Sequence, residues 1–383
     1  MKLKGMTWSH DRGLKPLIKA ASAFQKLHSK VDITWDARSL ADFELYPLNK
    51  LAAAYDFMMI DHPHIGTAYA QKLLLPLDEL LPTSFIADQE KNSVGLSHKS
   101  YYWKGHQWAL AADAAAQFSA YRQDLLDTWD ILPPVTWQDV LRLGEYLPDG
   151  YVMGIPFVPI HAYSSFFSLC AQLSPEPFWS NGQPLSIDVG VRVLQLLRKL
   201  MGVVDQDSYD MDPIQLLDKM AHDDKLVYCP LVYGYSTYSL EGFAKRRIKF
   251  NAMPSDTGRP NGSMIGGVGL AISSQCKHPE IAAQFLGFTL SGEFQCHGYV
   301  DHFGQPGYRS AWLDEHVNEQ AMNFYHDTLT TMDLGSMRPR FDGYIGFQEK
   351  AGNMIRGFFM DERKDDEAFI HTLNGLFLDV YTH

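Results

Sequence analysis

The chain lacks most of the features that would announce a reaction. Its 383 residues contain no GxSxG, HExxH, P-loop or EF-hand spacing, which removes the usual sequence routes to hydrolase, zincin, nucleotide and calcium chemistry. Cysteine is scarce: Cys170, Cys229, Cys276 and Cys296 lie far apart with no CxxC pair, which argues against a zinc module or a small disulfide scaffold. Runs of positive charge are missing. No block of five Lys or Arg relieves a formal net charge of −12, so a nucleic-acid surface or an anionic-membrane surface is not expected. Long apolar runs are missing as well; KLLLPLDELLP, residues 72–82, is broken by proline and charge, and no membrane insertion is expected. MKLKGMTW carries two lysines with no apolar stretch behind them. As written, the chain is expected in the cytoplasm, or in the periplasm if a leader has been removed.

What is present is an ordinary folded composition with many rings. An apolar fraction of 46% and a charged fraction of 20% suit a packed core, and the length suits two domains better than one. Aromatic residues reach 13%, enough both to fill cores and to floor a ligand site.

Helix starts are legible. KPLIKAASAFQKLH places Pro16 at an expected first helical position, with Leu17, Ala20, Ala21, Phe24 and Leu27 on one face. TWQDVLRLGEYL carries a capping-box pattern in Thr136 and Asp139, while Asp212–Pro213 and Pro279 open two further helices. YIGFQEKAGNMIRGFF and DEAFIHTLNGLFLDVY read as closing helices. Between the helices lie short strand candidates: DITWDAR, DFMMID, QWALAADA, YVMGIPFV, KLVYCPLVY, IKFNAMP and GGVGLAIS. The alternation predicts an α/β fold with mainly parallel sheets, whose ligands belong beyond the carboxyl ends of the strands. TWSHDRG, FMMIDHPHIG and TWDARSLADF all follow strands in that way. With no low-complexity linker, the two domains are expected to be joined through strands, AADAAAQFSAYRQDLLD crossing and the approach to GGVGLAIS returning, which makes a hinge.

Several stretches concentrate polar or aromatic chemistry. His10, Asp11 and Arg12 stand in a row after the first strand, either as a solvated turn, a catalytic start or a ligand wall. DHPH offers Asp61, His62 and His64 as a metal candidate, but Pro63 breaks regular geometry and a polar strand-end turn is the preferred reading, so no metal or cofactor is expected. GGVGLA fails GxGxxG and reads as a buried strand where backbone passes close to something, with Gly266 or Gly267 as a possible lining residue. LVYGYSTYSL carries Tyr233, Tyr235 and Tyr238, rings that pack in a strand or stack on a sugar; HAYSSFF, with His161 and Tyr163, is a weaker version.

Taken in order, these pieces resemble the family 1 solute-binding proteins of ABC transporters, the sugar-binding type related to maltose-binding protein. LKGMTWSHDRG, YDFMMIDHPHIGTAYAQKLLLPLDELL, GHQWALAADAAAQFSAYRQDLLD, PPVTWQDVLRLG, IGGVGLAISSQCKHPEIAAQFLGFTLSGEFQ, GQPGYRSAW and RPRFDGY carry the resemblance nearly end to end. It implies a two-lobed periplasmic-binding-protein-like α/β fold with a ligand cleft at the hinge. Lobe 1 would comprise residues 1–113 plus about 266–330, lobe 2 about 114–265, and the helices of about 331–383 would pack across the lobes. The implied ligand-binding residues are His10, Asp11, Arg12, Asp61, His62, Asp113, Tyr163, Tyr235, Gly267 and Arg309. The implied partners are a small polar solute, most naturally a carbohydrate, and an ABC permease if the protein is exported; a monomer is implied too. The alternative is a cytoplasmic enzyme or sensor on the same fold, working through His10, Asp11, Asp61 and His62, because imidazole beside carboxylate moves protons near neutral pH.

Overall fold

The computed structural model describes residues 1–40, 47–361 and 365–382, so Ala41–Phe43 of TWDARSLADF lie outside the described residues. In chain order, the elements used below are β1 (Lys2–Trp8), α1 (Asp11–Leu27), β2 (Asp32–Arg38), β3 (Phe57–Ile60), β4 (Leu110–Ala111), β5 (Ala115–Tyr121) and β6 (Val152–Met153). They continue with α2 (Pro159–Leu173), α3 (Ile187–Met201), β7 (Leu226–Tyr233), β8 (Lys249–Asn251), β9 (Gly269–Ile272), α4 (Pro279–Leu290), α5 (Tyr344–Met360) and α6 (Asp366–Thr382). The chain divides into two compact units: Met1–Ala115, Gly266–Glu319 and Arg340–Asp342 form unit 1, and Ala116–Ile265, Gln320–Pro339 and Gly343–His383 form unit 2.

Unit 1 is built on a five-stranded sheet in the order β2-β1-β3-β9-β4. β1 pairs in parallel with β2 and β3, whereas β9 runs antiparallel to both β3 and β4. The expectation of mainly parallel sheets is therefore corrected: the returning strand enters between two strands that run the other way. It needs no crossover helix there, because it arrives from unit 2. β3 and β9 are buried along their whole length, which is why FMMI and GLAI read as unbroken apolar runs. Phe24 on the inner face of α1 packs edge-on against Phe285 of α4, ring centroids 5.4 Å apart.

α1 begins five residues before Pro16. Its N-cap is His10, whose Nδ1 accepts from the Arg12 backbone N–H at 3.1 Å. Pro16 thus sits inside the helix, on the buried face with Arg12, Gly13 and Leu17. The local rule placing proline at the first helical position gave way to the ties between Thr7, Trp8 and the first turn, described below.

Unit 2 holds a five-stranded sheet whose main path runs β8-β5-β7-β6, with the short strand Ile265–Gly266 pairing with β5 off that path. β5 is antiparallel to β7 and β8, and β6 is parallel to β7. Thr136 and Asp139 close the expected capping box, and Asp212 with Gln215 closes a second. The core is aromatic. Trp179 stacks on Tyr163 and Phe166 at 5.9 and 6.1 Å, and its indole N–H donates to Asn374 Oδ1 of α6 at 3.0 Å. At α5, a Cβ on Gly352 would lie 2.5 Å from the Pro159 carbonyl oxygen, so a side chain there would push α5 off the start of α2.

Candidate functional site

In unit 1, parallel pairing brings several loops to one end of the sheet. The register Gly5↔Phe57 and Met6↔Met58 sets the carboxyl end of β1 beside that of β3, and Gly269 at the start of β9 pairs with both Ile60 and Ala111. His10–Arg12, Asp61–His62, Asp113 and Gly267 therefore all lie beyond the same sheet end, where α/β proteins bind ligands.

TWSHDRG is a built turn there. Thr7 Oγ1 donates to the Gly13 carbonyl at 2.9 Å, and the Trp8 ring lies where a Cβ on Gly13 would be, 2.4 Å away. Glycine at 13 lets the first turn of α1 settle on that indole, which fixes the direction of Arg12. The guanidinium then reaches Asp113 as a two-pronged fork, Nε to Oδ2 at 2.7 Å and the second nitrogen to Oδ1 at 2.5 Å, with both side chains buried. Burial pushes the Asp113 carboxyl above the usual carboxylate range, and the facing Arg12 charge opposes that push. Behind the pair, Gly267 has φ +82°, and a Cβ there would fall 2.4 Å from the Asp113 carbonyl oxygen. Asp113 and Val268 also exchange backbone hydrogen bonds at 3.0 and 3.1 Å. Glycine is needed at 267 both for the left-handed backbone and for the close approach.

The remaining unit 1 candidates divide. His10 is half-buried, and its imidazole is held down to about 4, first by burial and then by the Arg12 charge. Asp11 turns to Lys15 Nζ at 2.7 Å on the flank of α1. Asp61 caps the short turn His62–His64, accepting from the His62 backbone N–H at 2.9 Å, and the buried His62 ring keeps its Nδ1 3.3 Å from the same carboxylate. Arg309 is tied to another turn: its backbone N–H donates to the Asn92 carbonyl at 2.6 Å and its Nε to the Ser93 carbonyl at 3.2 Å. The segment leading to it does run along the crossing, where Gln305 and Ala114 exchange hydrogen bonds. Gln305 was not singled out in the sequence, and a buried glutamine inside a glycine–proline loop is the signal that marks it. Among the described residues, no group of three His, Cys, Asp or Glu is placed to hold a metal ion.

In unit 2, β6 and β7 run in parallel, so the start of α2 and the Tyr233–Tyr235 turn lie beyond one end of that sheet. Tyr163 is fully buried and shares a hydrogen bond with the Tyr344 hydroxyl at 2.5 Å, within the Trp179 core. Tyr235 is nearly buried, its ring edge-on to Tyr238 at 6.5 Å. Two residues before Tyr163, on another face of α2, His161 lies edge-on to Tyr233 with centroids 6.0 Å apart. Next to this end, Gln117 of β5 is satisfied from α2: its amide donates to Ser165 at 3.2 Å and its carbonyl accepts from Ser168 at 2.7 Å.

This is an α/β framework with polar loops gathered beyond its sheet ends. Residues 19–304 match the model of the bacterial extracellular solute-binding proteins, and the chain belongs to that family. Solved structures of the same fold include an ABC-transporter solute-binding protein of Thermotoga lettingae bound with α-D-tagatose, at 14% identity and TM-score 0.81 over 99% of each chain. A maltose-bound protein of T. maritima aligns at 16% identity and TM-score 0.79 over 98% of each chain. An ABC-transporter solute-binding protein of Agrobacterium radiobacter in complex with ribitol aligns at 16% identity and TM-score 0.76, over 99% of this chain and 98% of that one. The two-lobed periplasmic-binding-protein fold expected from the sequence is thereby established. No described helix is long and apolar enough to cross a membrane.

Proposed function

We propose that the protein binds a neutral carbohydrate or polyol in the cleft that the resemblance implies and hands it, as a monomer, to an ABC permease. The observation that carries this reading is the gathering of His10, Arg12, Asp61, His62, Asp113 and Gly267 at one sheet end of unit 1. Hydroxyl groups need donors and acceptors in fixed places, and a small site of a few placed polar groups supplies them. Tyr235, with its neighbour Tyr233, supplies the rings on which the C–H face of a sugar rests. Tagatose, maltose and ribitol in the related structures support the ligand class. Asp11 and Arg309, tied to Lys15 and to the 92–93 turn, serve in this reading as supports for the wall.

A thermal-shift screen of sugars, polyols and sugar acids, with each hit recovered and weighed by mass spectrometry, tests it. Ligand at a hundred times its dissociation constant adds about 2.7 kcal/mol, enough to raise the melting temperature by a few degrees. A neutral hit recovered intact is the expected result. A hit returned with altered mass supports the enzyme alternative, and no hit in the neutral panel overturns the proposal.

A further inference from the structure

We infer that His161 is the side chain by which unit 2 selects its ligand, its uncharged imidazole giving one donor and one acceptor to hydroxyl groups of a neutral sugar or polyol. The inference rests on the function proposed above and deepens it. The sequence drew attention to Tyr163 in HAYSSFF, but the structure gives the two residues different surroundings. Tyr163 is hydrogen-bonded through its hydroxyl to that of Tyr344 inside the core. His161 is 2% exposed, yet neither Nδ1 nor Nε2 has a hydrogen-bond partner among the described residues.

A buried imidazole with both nitrogens unpaired is costly, because each lost hydrogen bond to water goes unreplaced. The buried Gln117 nearby is provided for: its side chain is satisfied by Ser165 and Ser168, and Ser263 donates to its backbone carbonyl at 2.7 Å. An exception in such a place calls for a partner absent from the chain itself. Its location fits a ligand, since the start of α2 lies beyond the carboxyl end of β6 and beside Tyr233 at the end of β7.

The ring's charge state follows from the same burial. Its pKa is lowered to about 3, so at neutral pH it is a neutral donor–acceptor pair. Such a pair matches a hydroxyl, which also donates and accepts. It provides no countercharge for a carboxylate, so a sugar acid finds only one neutral N–H donor at this position, while the ring's acceptor nitrogen faces it with no proton to receive. Tyr233, edge-on to the imidazole, presents a ring next to the same hydroxyls.

Isothermal titration of the whole protein with tagatose, ribitol, D-mannitol and maltose, using wild type, His161→Gln and His161→Leu, tests the assignment. Wild type binds at least one of these probes. His161→Leu weakens that binding by about tenfold or more, and His161→Gln, which keeps a donor and an acceptor, recovers most of it. Without ligand, His161→Leu melts at or above the wild-type temperature, since it removes two unsatisfied polar atoms from a buried position. Binding by His161→Leu within twofold of wild type overturns the inference and leaves the proposed function standing. A loss of affinity matched by a fall in ligand-free melting temperature assigns His161 to the core and also overturns it. If wild type binds none of these probes and the neutral thermal-shift panel gives no hit, the proposed function fails and this inference fails with it; a neutral hit from that panel takes the probes' place in the same titrations.

Discussion

The loop-bearing ends of the two sheets are furnished in different ways. In unit 1 the strongest charges are spent on each other: Arg12 and Asp113 form a buried two-pronged pair, and Gly267 lets the return strand press against it. In unit 2 the end of the sheet carries rings and an imidazole whose nitrogens have no hydrogen-bond partner among the described residues. A buried charge must be paired, and in unit 1 the pair also gives the sheet end its shape. A neutral ring can be left waiting at lower cost, so unit 2 can keep capacity in reserve. Stability and recognition are thus expected to separate by unit, and substitutions can test that separation.

The largest effect is expected at the unit 1 pair. Asp113→Ala takes the facing carboxylate away from the buried Arg12 guanidinium, and about 3–5 kcal/mol of unfolding free energy is lost in urea titration. The double variant with Arg12→Met recovers much of that loss, because no charge is then stranded. A smaller loss follows Gly267→Ala: left-handed backbone costs a side chain roughly 1–3 kcal/mol, and the added Cβ meets the Asp113 carbonyl besides. Melting curves read that loss, and they also reveal whether the return strand shifts away from Asp113.

Acid sharpens the comparison from the other side. His10 and His161 have pKa values lowered to about 4 and about 3, so between those values and 6.5 the unfolded chain takes up protons that the folded chain refuses. Stability therefore rises with pH across this window and falls as the pH drops from 6.5 towards 4. For fully buried His161 the loss from pH 7 to pH 5 is about 2 kcal/mol, and urea midpoints for His161→Leu should show a correspondingly flatter slope. An unchanged slope would mean that the imidazole is protonated in place. Tyr344→Phe removes the hydroxyl that Tyr163 meets at 2.5 Å and costs about 1–2 kcal/mol without changing ligand affinity. The smallest effect, about 1 kcal/mol, is expected from Thr136→Ala, which opens a capping box; equilibrium denaturation reads it, and ligand titration should not.

Much of the framework was legible residue by residue. DITWDAR is a strand as written, Thr136 and Asp139 cap their helix, and the two closing helices lie where their periodicity puts them. The failures were local rules overruled by packing. Pro16 marked a helix start that lies five residues earlier, because Thr7, Trp8 and Gly13 hold the first turn against β1. Mainly parallel sheets were expected, but the strand returning from unit 2 enters unit 1 antiparallel, and no sequence period encodes its direction. Side-chain fates were the least legible. Nothing in HAYSSFF says that the tyrosine joins a Trp179 core while both nitrogens of the histidine lack a hydrogen-bond partner among the described residues.

By itself the sequence determined the alternation of strand and helix, the polar loops after the strands, and the family that those pieces resemble, since these depend on neighbours a few residues apart. Only the tertiary structure decided that Arg12 is spent on Asp113, that Asp11 turns to Lys15, and that Arg309 holds a turn. Each of these outcomes depends on groups brought together across the fold or across a helix turn. A side chain's pairing is settled by the partner that reaches it once the backbone is in place, and Arg12 and Asp113 are separated by 101 residues of chain.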